Sequence, residues 1–192
     1  MTRLFRSPVA LAAIALLIVG LAAAGLLYGK GSSAVHAKPP ELSALAMDKV
    51  PVAVPAVAFT DAHGTQKSLV AYRGQYVLLN LWATWCGPCV KELPALAKLQ
   101  AAVPATKLRV LTVNVGHGSA VDTASFLRVH GAASLPVLVD SDSSFIRNFG
   151  AYGLPLSVLI DPQGREIARA EGPADWDAAA AIAYFRSLTH AS

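Results

Sequence analysis

Cysteine is scarce in this chain: its 192 residues hold two, both in the run Cys86-Gly87-Pro88-Cys89. With no second cysteine pair, and with His36, His63, His117, His130 and His190 scattered along the chain, the four-ligand spacing of a structural zinc site is missing. Methionine is as rare, Met1 and Met47 both lying ahead of the expected folded domain. A Cu(I) carrier would therefore rest on the two soft thiols, with His117 as the one candidate for a further ligand. A thiol peroxidase is disfavoured, because no separate cysteine flanked by proline and threonine exists. Charge is sparse as well, at 15% of residues. Of the 16 basic residues, Arg3, Arg6 and Lys30 flank an apolar N-terminal stretch, which leaves 13 against 12 acidic residues in the remainder. So even a balance offers no cluster of Lys and Arg for phosphates, and nucleic acid is disfavoured as a partner.

The longest apolar run is residues 9–28, VALAAIALLIVGLAAAGLLY, 20 residues without a charge. As a helix it would extend about 30 Å, enough to cross a bilayer. Arg3 and Arg6 precede it, and only Lys30 follows closely, so the positive-inside tendency puts the N-terminus in the cytoplasm and the rest outside. Residues 1–30 are thus expected to form a cytoplasmic N-terminus and an uncleaved, single-pass anchor in the inner (cytoplasmic) membrane. A signal peptide cleaved after Val35-His36-Ala37 is the alternative; either way the globular part is exported. Residues 31–54, rich in Ala, Ser, Pro and Val, are expected to be a tether, with a short helix around 42–47.

From residue 55 to residue 192 the pattern is that of one α/β domain with a real core. Strands are expected at 56–59 and 67–70 around the turn Asp61-Ala62-His63-Gly64. The near-continuous apolar run 77–82 reads as a strand covered on both faces, and 108–115 as a second one. A helix is expected from about Cys86 to about Ala102, kinked at Pro94, and another over 122–130 with Asp122 as its N-cap. A short strand at 136–140, a helix at 143–149, strands at 157–161 and 166–171 around Asp161-Pro162-Gln163-Gly164, and a helix at 176–188 complete the expected order.

The cysteine pair sits where the buried strand gives way to the helix. A helix start leaves backbone N–H groups unpaired and carries partial positive charge, so a sulfur placed there is favoured as thiolate, the form that attacks disulfides. Cys86 is the expected nucleophile. Cys89 returns about one turn later as the resolving thiol, and Pro88 costs little in the first turn because its missing N–H has no intrahelical partner. A purely structural disulfide is the alternative for the same two residues.

The segment LLNLWATWCGPCVKELP at 78–94, together with GLPLSVLID at 153–161 and EGPADW at 171–176, resembles the TlpA-like (ResA-like) group of membrane-anchored thioredoxin-fold proteins. The likeness spans roughly residues 55–190. It implies a thioredoxin-like fold, a central mixed β-sheet flanked by helices, and a periplasmic thiol:disulfide reductase with no cofactor beyond a redox-active Cys86–Cys89 disulfide. It also implies exported, disulfide-bearing clients such as copper-site or apocytochrome proteins, a membrane-bound electron donor, and a place in cytochrome oxidase or cytochrome c maturation. By the same resemblance Pro155 is the cis-proline opposite the pair, and the backbone of Leu154 engages an extended client segment. Trp85, Gly87 and Pro88 complete the client-contacting surface, and Trp82 is core. Leu156 stands where threonine is common in the family. Glu92 corresponds to an acidic residue beside the pair that takes or returns the proton of Cys89. Asn80 holds the place of thioredoxin's buried Asp on the preceding strand and does not titrate.

Overall fold

A computed structural model of the chain describes residues 38–190. The apolar run 9–28 and the site at 35–37 lie outside the described residues; among the described ones no helix is long and apolar enough to cross a membrane. The described strands are β1 (Leu45–Ala53), β2 (Ala58–Asp61), β3 (Gln66–Ser68), β4 (Tyr76–Trp82), β5 (Leu108–Asn114), β6 (Leu138–Val139), β7 (Leu156–Ile160) and β8 (Arg165–Glu171). The helices are α1 (Gly87–Ala102), α2 (Ala120–Val129), α3 (Ser144–Asn148) and α4 (Ala179–His190). Single 3-10 turns occur at Pro40–Leu42 and Leu69–Tyr72.

The strands form one sheet in the order β1-β8-β7-β4-β5-β6-β2-β3. β4 pairs in parallel with β5, as β5 does with β6, and every other pairing is antiparallel. This is a mixed sheet with helices on both faces, as the resemblance implies. Strand periodicity sorts the side chains of β4 between two cores. Leu78 and Trp82 join α1, Leu127 of α2, and Phe185 and Leu188 of α4. Val77, Leu79 and Leu81 join Phe59 and Phe145 on the opposite face. Asn80 falls in step with Leu78 and Trp82, so alternation alone turns this polar residue toward the α1 side.

Three expectations are corrected by the structure. From residue 38 on, the stretch read as tether with a helix around 42–47 instead enters the fold: Leu42 and Leu45 are fully buried, and β1 covers the edge of β8. The Ala and Leu of 42–47 invite a helical reading, but Val50, Pro51 and Val52 favour extended chain, and β8 supplies the partner. Met47 accordingly belongs to the domain, with its sulfur 3.8 Å from the Tyr184 hydroxyl. The cap of α2 is Ser119, whose hydroxyl accepts from the Asp122 amide at 3.1 Å, while Asp122 reaches back to the Ser119 N–H in a capping box. Finally, α4 begins at Ala179 and leaves Trp176 in the preceding loop.

Because Leu42 and Leu45 pack into the α1-side core, truncating either to alanine is expected to cost about 2–4 kcal/mol. Urea unfolding checks this; a loss near zero would return the segment to the status of a tether.

Candidate active site

β4 delivers the chain to the site. Trp82 ends the strand, Thr84 and Trp85 turn, and Cys86 caps α1 with extended backbone at φ −87° and ψ 97°. The Cys86 sulfur accepts a hydrogen bond from the Cys89 N–H at 3.3 Å, one of the donors a helix start leaves unpaired. Cys86 and Cys89 are joined in a disulfide with 5.3 Å between their Cα atoms. Both are buried, Cys86 at 5% exposure and Cys89 at 0%. Gly87 and Pro88 are exposed beside the pair. Trp85 stands 73% exposed, so it is a free apolar surface next to the bond rather than part of the core. Its base is seated by Gly116, where a Cβ would come within 2.7 Å of Ala83 Cβ and 3.0 Å of Trp85 Nε1. Only glycine permits that approach.

Pro155 reaches the same end of the sheet through register. β7 runs antiparallel to β4 with Leu156 opposite Leu81, so the residues just ahead of β7 lie near the β4 end that feeds the cysteines. The Leu154–Pro155 peptide is cis and Pro155 is buried. Leu154 is half-buried, touching both cores, while Tyr152, two residues earlier, is 94% exposed. Sequence reasoning did not single out Tyr152. Its signal was position alone, a large ring in a Gly-rich bend three residues from the proline.

Glu92 is placed by helical spacing. The buried positions of α1 are Cys89, Glu92, Leu93, Leu96, Ala97 and Leu99, so the carboxyl lies on the core-facing stripe one turn beyond Cys89. Three N–H donors, one from β4 and two from the loop between β8 and α4, hold it. Asn80 Nδ2 on β4 donates to Oε1 at 2.7 Å, Trp176 Nε1 to Oε2 at 3.1 Å, and the Ala174 N–H to Oε2 at 3.4 Å. Burial raises its pKa to about 7, against the three donors, which pull it down. A cleft of about 420 Å³ is lined by Glu92 together with Pro88, Lys91, Ala95, Pro173 and Ala174. Trp176, which the sequence offers as the start of a helix and as part of a motif, is thus a hydrogen-bonding neighbour of Glu92, and it is fully buried. His117 is exposed on the loop after β5, and among the described residues no three His, Cys, Asp or Glu side chains gather as a metal site would need.

Comparison with known proteins agrees with this geometry. Residues 50–167 match the model of the AhpC/TSA family. The thiol-disulfide oxidoreductase ResA of Geobacillus thermodenitrificans is 32% identical over 122 residues, 62% of this chain and 69% of that protein. ResA of Bacillus subtilis is 31% identical over 113 residues, 59% of this chain and 62% of its own length. Among solved structures, one described as the thiol:disulfide interchange protein DsbE of Chlorobium tepidum superposes with a TM-score of 0.64 at 28% identity, covering 75% of this chain and 99% of that one. The exposed lipoprotein thioredoxin Etrx1 of Streptococcus pneumoniae gives 0.54 at 28% identity, covering 65% and 94%.

The raised pKa of Glu92 carries a stability cost of definite sign. A carboxyl whose folded pKa lies above its unfolded value favours the fold below about pH 4.5, and that contribution is lost as pH rises through about 7. Relative to Glu92→Gln, the natural protein should thus lose up to about 3 kcal/mol between pH 4.5 and pH 8. Urea titrations of both at several pH values measure it, and parallel stability curves would show that Glu92 ionises as if in water.

Proposed function

As the chain belongs to the AhpC/TSA family and is a thiol:disulfide oxidoreductase, we propose that it is a membrane-tethered, periplasmic reductase of disulfides in exported proteins. The observation that carries this is a Cys-Gly-Pro-Cys disulfide whose first cysteine caps a helix and keeps 5% exposure against 0% for the second. Residues 9–28 anchor it in the inner membrane, supported by their uncharged length and the arginines ahead of them. The Gly-Pro dipeptide matches that of thioredoxin, a low-potential reductant, and supports the reducing direction.

In the reduced protein the Cys86 thiolate attacks one sulfur of a client disulfide and expels the other, forming a mixed disulfide. Trp85, Gly87, Pro88, the Leu154 backbone and Pro155 hold the client segment. Cys89 then gives up its proton to Glu92 and attacks Cys86. The Cys86–Cys89 bond forms, the Cys86–client bond breaks, and the client sulfur leaves with the electron pair. Glu92 returns the proton to the departing thiolate or releases it through its cleft. A membrane-bound dithiol donor restores the pair. Clients in the maturation of cytochrome oxidase or cytochrome c, among them copper-site and apocytochrome proteins, suit this chemistry because their cysteines must be reduced before loading. A Cu(I) carrier would use the same two sulfurs, and among the described residues no three His, Cys, Asp or Glu side chains gather around them.

Cys89→Ser is expected to accumulate mixed disulfides through Cys86 in membranes, and Cys86→Ser to accumulate none, as read on non-reducing gels. Equilibration with glutathione should place the midpoint near thioredoxin's, about −270 mV; a value near about −120 mV would make the protein an oxidant instead.

A further inference from the structure

The α1-facing side of the central sheet carries a row of neutral polar groups at the level of Glu92. Register sets Asn80 between Thr112 on β5 and Ser157 on β7, and all three are fully buried. The amide of Asn80 uses only one of its ends. Nδ2 donates both to Glu92 Oε1 at 2.7 Å and to Ser157 Oγ at 3.0 Å. Asn80 Oδ1 and, on the strand to its other side, Thr112 Oγ1 are buried without a partner among the described residues. A buried amide oxygen without a donor is costly, and an amide can exchange its two ends by a half-turn about its last torsion.

We infer that Asn80 turns its side-chain amide over when Glu92 changes protonation state, which makes it the positioning residue that lets a buried carboxyl take and return the proton of Cys89. The inference rests on the role proposed for Glu92 and adds what that role requires. The carboxylate needs donors, and Asn80 Nδ2, Trp176 Nε1 and the Ala174 N–H supply them. The carboxylic acid needs an acceptor for its O–H, and neither the indole nor the backbone N–H is one. With the amide reversed, Asn80 Oδ1 takes the place of Nδ2 and accepts from the Glu92 O–H and from the Ser157 hydroxyl, while Nδ2 turns toward the β5 strand that carries Thr112. Both protonation states are then hydrogen-bonded through one residue. An aspartate at this place would add a second buried acid; a hydrophobic residue would satisfy neither state.

No charge competes for this role. The elements packed on Glu92 contribute Asn80 and Ser157 from the sheet, Lys91 from α1, and Asp175 and Asp177 from the loop of Trp176. Lys91 and Asp175 are exposed, and Asp177 pairs with Lys98 at 2.9 Å.

The test is a pH titration of the 13C,15N-labelled full-length chain in detergent micelles with the disulfide closed, from about pH 5 to about pH 9. Glu92 13Cδ reports the carboxyl, and cross-relaxation from the Asn80 Nδ2 protons to Ser157 or Thr112 reports the amide. The expected result is a common midpoint, with contacts to Thr112 at low pH giving way to contacts to Ser157 at high pH. If Glu92 titrates while the Asn80 protons stay beside Ser157 throughout, the turnover is overturned and the acceptor role stands. If Glu92 does not titrate in this range, both fall. In Asn80→Asp the Glu92 midpoint should move up and resolution of the mixed disulfide near pH 7 should slow by about tenfold or more. An unchanged pH profile in that variant would also overturn the inference.

Discussion

Everything in this protein depends on one junction, the place where β4 ends and α1 begins. A buried strand fixes where the chain emerges, and a helix start fixes what meets it: backbone N–H groups with no partner of their own. Cys86 occupies the cap position and takes the hydrogen bond of the Cys89 amide. A serine or aspartate there would stabilise the helix equally well. A sulfur does so while becoming a better nucleophile, so the same geometry that ends a strand also prepares a reaction. The remaining features, from the glycine that seats Trp85 to the proline ahead of β7, are arranged about this point.

The second constraint is burial of a carboxyl. Glu92 lies on the apolar stripe of α1, and the fold tolerates it because the sheet donates to it once and the loop after β8 twice, through the Ala174 N–H and the Trp176 indole. Such a group is poor material for stability and good material for proton transfer, since burial and hydrogen bonding oppose each other and leave it near neutrality. The neutral Asn80 matters in the same way. It lends the carboxyl a partner without adding a second charge to the interior.

Much of this was legible in the residues before any coordinates. The run 77–82 reads as a buried strand because nearly every position is apolar, and the CxxC after it, with proline in the first turn, marks the helix start. What the residues concealed followed from partners distant in sequence. The strand character of 45–53 needs β8, more than 100 residues away, to show itself. Glu92 on its own is indistinguishable from a solvated glutamate until the spacing Cys89, Glu92, Leu93, Leu96 is laid on a helix facing a sheet. Trp176 reads as the start of a helix or as a family motif, and only the fold carries its N–H to a carboxyl 84 residues earlier. Tyr152 gave no signal beyond being a ring in a bend.

The central claim is that the helix start makes Cys86 a thiolate at neutral pH while Cys89 stays inside. It is tested most directly by the rate of iodoacetamide alkylation of the reduced protein as a function of pH, with the modified residue identified by peptide mapping. The account predicts modification at Cys86, with a half-maximal rate below about pH 7.5. A profile centred near about pH 8.5, that of an ordinary thiol, or equal modification of Cys89, would contradict it.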